Sequence, residues 1–274
     1  MKLIHTLAEL RATLGAYRHP AVVPTMGNLH AGHIALVDAA KPLGDVTLAT
    51  IFVNRLQFGP NEDFDTYPRT LADDCAKLEA AGCDIVFAPS EKELYPHKQT
   101  FLVQPPPELA NILEGHFRPG FFTGVATVVM KLLIATQART AVFGKKDYQQ
   151  LMVIRQMVNQ FAMPIDIVGL DTQRAADGLA MSSRNGYLSA SERAESVLLS
   201  QTLQAMAKAI RSGHTDYAAL ESSAMSTLSA AGWKPDYVVA RRRVDLQAPQ
   251  AGDALVVLAA ARLGTTRLID NLEV

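Results

Sequence analysis

His30 and His33 stand three residues apart, with Ala31 and Gly32 between them, just after the short apolar run Ala21-Val22-Val23-Pro24. On a helix, positions i and i+3 share a face, so both imidazoles would leave the first turn on one side. A helix start also offers unpaired backbone N–H groups and the positive end of the helix dipole. That combination suits a phosphoryl group, which ring N–H and backbone N–H donors would meet together. The same two rings could instead make structural hydrogen bonds. Zinc is a third use, but no third ligand is evident nearby, and Cys75 and Cys83 lack metal-ligand spacing. Met26, just upstream, is either core or backbone lining for a base.

Further along, Gly144-Lys145-Lys146-Asp147 follows a short apolar run and opens a helical pattern. Glycine permits a tight turn, and lysines at a helix start can meet phosphate. The stretch is not a P-loop, which needs more glycine and a Lys-Ser or Lys-Thr ending. A solvated charged turn with Asp147 as a helix cap is the other reading. Ser182-Ser183-Arg184-Asn185 sets hydroxyls beside a guanidinium, a good anion clamp, or else a capped linker. Asn54, Gln57 and Gln150 are neutral hydrogen-bonding groups that would suit a small substrate with hydroxyls or a carboxylate, or else are plain surface and loop residues. Asp73 and Asp74 could hold a magnesium–phosphate complex, although acids in a first helical turn need no such role. Arg241-Arg242-Arg243 reads as a solvated face.

The elements that must carry these residues are legible from periodicity. The pattern predicts a helix over 3–14, capped by Thr6 with Glu9 three residues on. A strand over 21–24, a helix over 34–40 and a strand rich in β-branched residues over 46–53 complete a βαβ unit. Residues 54–68 read as a loop leaving that strand, where ligand contacts gather in parallel sheets. Next come a helix over 70–81, a strand over 84–87 and an edge strand over 101–103. A proline turn over 105–107, a glycine-proline loop over 115–124 and an apolar helix over 125–134 follow. A strand over 140–143, a helix over 148–161 and a strand over 165–168 continue the alternation. It predicts an α/β fold with an open, mainly parallel sheet. After a polar loop over 177–187 the character changes: a long helix over 192–210, another over 216–230, and strands over 234–240, 254–261 and 267–269. The expected domains are 1–178 and a smaller α+β domain over 179–274.

Composition bounds the rest. The chain has 274 residues, 49% hydrophobic and 19% charged, with a formal net charge of −1. No general electrostatic attraction to nucleic acid follows from that balance. The two cysteines predict no disulfide scaffold. Signal-peptide layout is absent and no apolar run of about 18 residues occurs, so a cytoplasmic protein without a membrane span is expected.

Taken together, the motifs resemble one family. His30-Ala31-Gly32-His33 matches the His-x-Gly-His signature of the nucleotidyltransferase-type α/β superfamily. More closely, the chain resembles the pantoate–beta-alanine ligases. The matching blocks are Pro24-Thr25-Met26-Gly27-Asn28-Leu29-His30, Phe52-Val53-Asn54 with Gln57-Phe58, Tyr67-Pro68-Arg69-Thr70, Arg118-Pro119-Gly120, Lys146-Asp147-Tyr148-Gln149-Gln150, Asp177-Gly178-Leu179-Ala180, Ser182-Ser183-Arg184-Asn185 and Leu268-Ile269-Asp270-Asn271. They stand in family order along nearly the whole chain.

The resemblance implies a Rossmann-like catalytic domain for ATP and pantoate and a C-terminal lid. It implies ATP-dependent condensation of pantoate with beta-alanine to pantothenate, AMP and diphosphate, through a noncovalent pantoyl-adenylate. By position, His30 and His33 resemble the histidines that stabilise adenylate formation, and Lys146, Ser182, Ser183 and Arg184 the triphosphate clamp. Met26, Gly144 and Asp147 fall where the nucleotide lies, Asp147 toward the ribose. Gln57 and Gln150 resemble the pantoate-binding pair, and Asp74 with Asp73 the acidic region associated with Mg2+. A homodimer is also implied. Three positions depart from the family's usual wording: Arg55 for proline, Phe121 for histidine, and Lys145 for glutamate. Two other functions stand beside this one: nucleotidyl transfer onto a phosphorylated substrate, and nucleotide binding without turnover.

Overall fold

The computed structural model describes residues 1–60 and 62–274. Asn61, within the expected loop over 54–68, lies outside the described residues. The chain forms two compact units, Met1–Gly144 with Gln150–Asp171, and Lys145–Gln149 with Thr172–Val274.

The first unit is built on six parallel strands in the order β1-β4-β3-β2-β5-β6. Its elements run β1 (Lys2–Ile4), α1 (Leu7–Leu14), β2 (Pro20–Thr25), α2 (Ala31–Ala40), β3 (Val46–Ile51), α3 (Leu71–Ala80) and β4 (Ile85–Phe87). Short helices α4 (Glu91–Leu94), α5 (Pro107–Ala110) and α6 (Glu114–Phe117) precede α7 (Phe121–Ala135), β5 (Thr140–Gly144), α8 (Tyr148–Gln160), whose first two residues belong to the second unit, and β6 (Asp166–Leu170). Ala21, Val22 and Val23 of β2 and Leu48 and Ala49 of β3 are wholly buried, as expected of strands covered on both faces. Val37, Ala40 and Leu78 pack from α2 and α3 onto one face of this sheet. The strand order reverses between β2 and β5, and ligands of open α/β sheets gather at the carboxyl ends of strands beside such a reversal. The loop bearing His30 leaves β2 at that end.

The second unit contains α9 (Ala190–Glu195), α10 (Val197–Arg211), α11 (Tyr217–Ala230) and an antiparallel sheet of β7 (Lys234–Arg242), β8 (Leu255–Leu263) and β9 (Thr266–Glu273). Leu203, Met206 and Leu228 of its helices and Trp233 bury against Val238 and Val257 of the sheet. Each such side chain taken fully from water contributes about 1.5–3 kcal/mol.

The α/β expectation therefore holds, with local corrections. Lys2–Ile4 is a strand rather than the start of a helix, because its backbone pairs with β4 and Ile4 is buried there. Thr6 still caps α1, accepting the Glu9 amide at 3.2 Å. Residues 101–103 form no strand; the Val103 amide donates instead to Thr127 Oγ1 at 3.0 Å. Helix α7 begins at Phe121, ahead of the expected 125, because Gly120 takes a left-handed φ of 82° and Phe122 buries. The helix expected over 192–210 breaks at Ser196, whose hydroxyl donates to the Arg193 carbonyl at 2.7 Å.

Candidate active site

The candidate residues fall into two groups, one in each unit. In the first unit the chain leaves β2 through Gly27 (φ 84°) and Asn28 (φ 50°). A Cβ on Gly27 would stand 3.0 Å from Asp74 Oδ2, so glycine fits both the turn and the space. Asp74 braces this loop. Its oxygens accept the amides of Asn28 at 2.9 Å and Leu29 at 2.7 Å and the Thr70 hydroxyl at 3.0 Å. Lys77 adds a bond from its ammonium to the Leu29 carbonyl at 2.8 Å.

The brace delivers the chain to His30, the N-cap of α2. His30 Nδ1 accepts the Gly32 amide at 3.1 Å, and His33 Nδ1 accepts the His30 amide at 3.3 Å. A neutral imidazole has one acceptor and one donor nitrogen. With both Nδ1 atoms accepting, the proton of each neutral ring resides on Nε2. The rings lie with centroids 4.1 Å apart. Spacing alone admits phosphate contact or structural hydrogen bonding; the geometry makes the rings helix caps through Nδ1 and leaves Nε2 the protonated nitrogen.

Gln57 sits in a single turn at Arg55–Gln57 and is oriented from two sides. Asn54 Nδ2 donates to Gln57 Oε1 at 3.1 Å, and Gln57 Nε2 donates to the Met26 sulfur at 3.2 Å. Asn54 is itself buried at 1% exposure and fully engaged: Nδ2 also reaches the Gly124 carbonyl at 3.1 Å, and Oδ1 accepts the Tyr95 hydroxyl at 2.9 Å. Burial pushes the Tyr95 phenol up, which keeps it a donor. Arg118 ties the same loop, donating to the Gln57 carbonyl at 3.2 Å and pairing with Glu62. Met26 and Gln57 are thus brought into contact. Gln150 is half-buried at the third position of α8.

Asp73 is exposed, whereas Asp74 is wholly buried with its oxygens committed to the loop. The pair does not fit a direct magnesium site. Among the described residues, no group of three or more His, Cys, Asp or Glu side chains is placed to hold a metal ion.

The second unit holds Lys146, Asp147, Ser182, Ser183 and Arg184, while Gly144 ends β5 in the first. Lys146 is half-buried and its ammonium lies 3.7 Å from Asp147 Oδ1. Ser182 caps the turn Ser183–Tyr187 by accepting the Arg184 amide at 3.2 Å. The approach to that turn is stapled by Arg174, which makes a bidentate pair with buried Asp270 at 2.7 and 2.9 Å and donates to the Gly178 carbonyl.

Each family departure has a local partner. Arg55 stacks 3.8 Å from the Phe64 ring and pairs with Glu91. Phe121 lies 3.6 Å beneath the Arg118 guanidinium. Lys145 pairs with Glu273 at 3.1 Å. Sequence reasoning names Asn54 without giving it this orienting part, Arg174 only as a loose basic candidate and Asn271 only within a family-like block; it misses Tyr95 and Glu273, and reads Gly124 only as the end of a loop. A buried polar residue at a strand end was the one readable signal for Asn54.

The family model described as pantoate-beta-alanine ligase matches residues 2–273 of this chain. The chain is 61% identical over 279 residues to the pantothenate synthetase of Verminephrobacter eiseniae (strain EF01-2), with 100% of both chains covered. It is similar to the crystal structure of pantothenate synthetase from Thermus thermophilus, with a TM-score of 0.95 and 42% identity over 100% of this chain and 99% of that one. It also resembles pantoate-beta-alanine ligase from Francisella tularensis, solved in complex with beta-gamma ATP and beta-alanine, with a TM-score of 0.82 and 35% identity over 100% and 97% of the two chains.

Proposed function

This chain belongs to the pantoate–beta-alanine ligase family and is an enzyme, and from that premise we propose that it uses ATP to join pantoate to beta-alanine, giving pantothenate, AMP and diphosphate. The ligands of the Francisella tularensis relative support ATP and beta-alanine as substrates here. Nucleotidyl transfer and binding without turnover have no comparable support.

In the proposed course, a pantoate carboxylate oxygen attacks the α-phosphorus of ATP. The bond from that phosphorus to the bridging oxygen breaks, and diphosphate leaves with the electron pair. The amine of beta-alanine then attacks the carbonyl carbon of the pantoyl-adenylate. The acyl C–O bond breaks, AMP departs with one former pantoate oxygen, and the surplus amine proton passes to solvent. No protein nucleophile is needed. The protein's task is to orient reactants and place donors where phosphate charge develops.

His30 and His33 take the latter part in this reading, donating through Nε2 to phosphoryl oxygens during adenylate formation. The observation that carries it is the engagement of both Nδ1 atoms by backbone amides at the α2 N-terminus, which leaves the ring proton on Nε2. Lys146, Ser182, Ser183 and Arg184 hold the triphosphate. Met26, Gly144 and Asp147 line the nucleotide, and Gln57 and Gln150 bind pantoate. A cytoplasmic homodimer is proposed with this function, and sedimentation of the purified protein tests the dimer.

The decisive experiment supplies ATP and magnesium with pantoate labelled by 18O in its carboxylate, with and without beta-alanine. The label is expected in AMP, released in step with pantothenate and diphosphate. Unlabelled AMP would overturn the adenylate route. Absence of diphosphate under every substrate combination would overturn the ligase reading altogether.

A further inference from the structure

Lys146 sits on a three-residue turn, Lys145–Asp147, too short to fix its own backbone. Strand β9 of the same unit fixes it instead. Asn271, 5% exposed, spends both of its amide hydrogens on successive carbonyls, Lys145 at 2.9 Å and Lys146 at 2.8 Å. A flipped amide would set its oxygen against two carbonyl oxygens, so only this orientation is satisfied. Asn271 is held in turn: its amide donates to Asp270 Oδ1 at 2.7 Å, and its carbonyl accepts from Arg174 at 3.0 Å.

Two residues on, Glu273 grips the turn from both flanks. Its Oε2 pairs with Lys145 at 3.1 Å, and its Oε1 accepts the Tyr148 hydroxyl at 3.0 Å. Arg243, 2.9 Å from Oε2, is a second cation on the same carboxylate. The residues on either side of Lys146–Asp147 are therefore anchored to one carboxylate, and the backbone between them to one amide.

We infer that Asn271 and Glu273 are positioning residues for Lys146: they fix the backbone from which its ammonium reaches the ATP phosphates. The inference rests on the reading of Lys146 as a phosphate contact. It also accounts for Lys145, where the family usually has glutamate. In this chain a glutamate at 145 would face Glu273, and the lysine completes the anchor.

The test is a double-mutant cycle on the full-length enzyme, read as KM for ATP, KM for beta-alanine and kcat. Asn271→Ala is expected to raise KM for ATP roughly tenfold, the scale of one or two lost hydrogen bonds. Asn271→Asp, which cannot donate to either carbonyl, is expected to raise it further. KM for beta-alanine should stay within about twofold. Lys145→Glu, which sets two carboxylates together, should shift the same constant in the same direction. Added to Lys146→Ala, Asn271→Ala should have no further effect, because it acts through the side chain already removed. Additive effects, or equal rises in both KM values, would mark Asn271 as merely structural and overturn the inference while leaving the Lys146 reading intact. If Lys146→Ala changes neither KM for ATP nor kcat, the clamp reading falls and the inference with it. Should Asn271→Ala not fold, Lys145→Met enters the same cycle, and unchanged ATP kinetics there would count against the inference.

Discussion

Asp74 and Asn54 are buried polar side chains whose partners define their work. The Asp74 carboxylate accepts three hydrogen bonds, two from amides of the loop between β2 and α2 and one from the Thr70 hydroxyl at the head of its own helix. Asp74→Asn turns one acceptor into a donor facing an amide. The expected cost is about 2 kcal/mol, measured by denaturant unfolding, or a Tm lower by roughly 4–8 °C in a calorimetric scan. Its magnesium dependence, normalised to its own maximal rate, should match that of the parent. A requirement raised tenfold would return Asp74 to the metal. Asn54 faces the other side of the problem, since it fixes which end of the Gln57 amide points where. Asn54→Ala is expected to lower kcat/KM for pantoate by about tenfold. The same substitution in a Gln57→Ala background should add little, and full additivity in steady-state kinetics would refute an action through Gln57.

At the scale of elements, the helix α7 and the turn bearing Gln57 make a backbone-to-backbone contact that a side chain would destroy. A Cβ on Gly124 would lie 2.2 Å from the Leu56 carbonyl oxygen and 2.7 Å from the Gln57 amide nitrogen. Gly124→Ala, ordinarily favourable in a helix, is therefore expected to destabilise and to raise KM for pantoate. A gain in Tm with unchanged kinetics would show that the contact is dispensable. Periodicity found α7 but placed its start late, because Gly120 reads as a loop residue and its left-handed cap is visible only in three dimensions. Helix α2 was easier: a βαβ pattern with a glycine at the strand end restricts the chain to few paths. Strand β1 was illegible because three residues carry no periodicity, and only pairing with β4 decides their conformation.

Across the whole molecule, several carboxyls titrate below their ordinary range. Asp45 is lowered chiefly by the Arg18 backbone amide, Asp177 by the Arg193 guanidinium and Glu192 by the Ser189 amide. For Asp245 burial pushes upward, and its bond from Arg242 leads the contributions that lower it overall. A carboxyl with a depressed folded pKa favours the folded state above its unfolded pKa and loses that contribution as pH falls through the folded value. The Tm should therefore hold from neutral pH down to about 4.5 and fall progressively below about 4. A profile flat to pH 3 would refute the linkage. Three of these groups lie in the second unit, so its unfolding should lead in acid, which tryptophan fluorescence follows through the single residue Trp233.

Sequence alone determined the α/β alternation, because periodicity depends on residues close together in the chain, and it determined the family through motifs standing in order from Pro24 to Asn271. Apolar runs with β-branched residues can bury only as strands of a covered sheet, and a His-x-Gly-His at a helix start presents its rings by local geometry. Tertiary structure decided the rest. Asp74 reaches the His30 loop from 46 residues away, and Asn271 reaches Lys145 across 126. No local rule links such positions. Their pairing follows from the need to satisfy buried carbonyls, amides and carboxylates once the core has closed, and that need assigns Asp74 to the loop and Asn271 to the lysine turn.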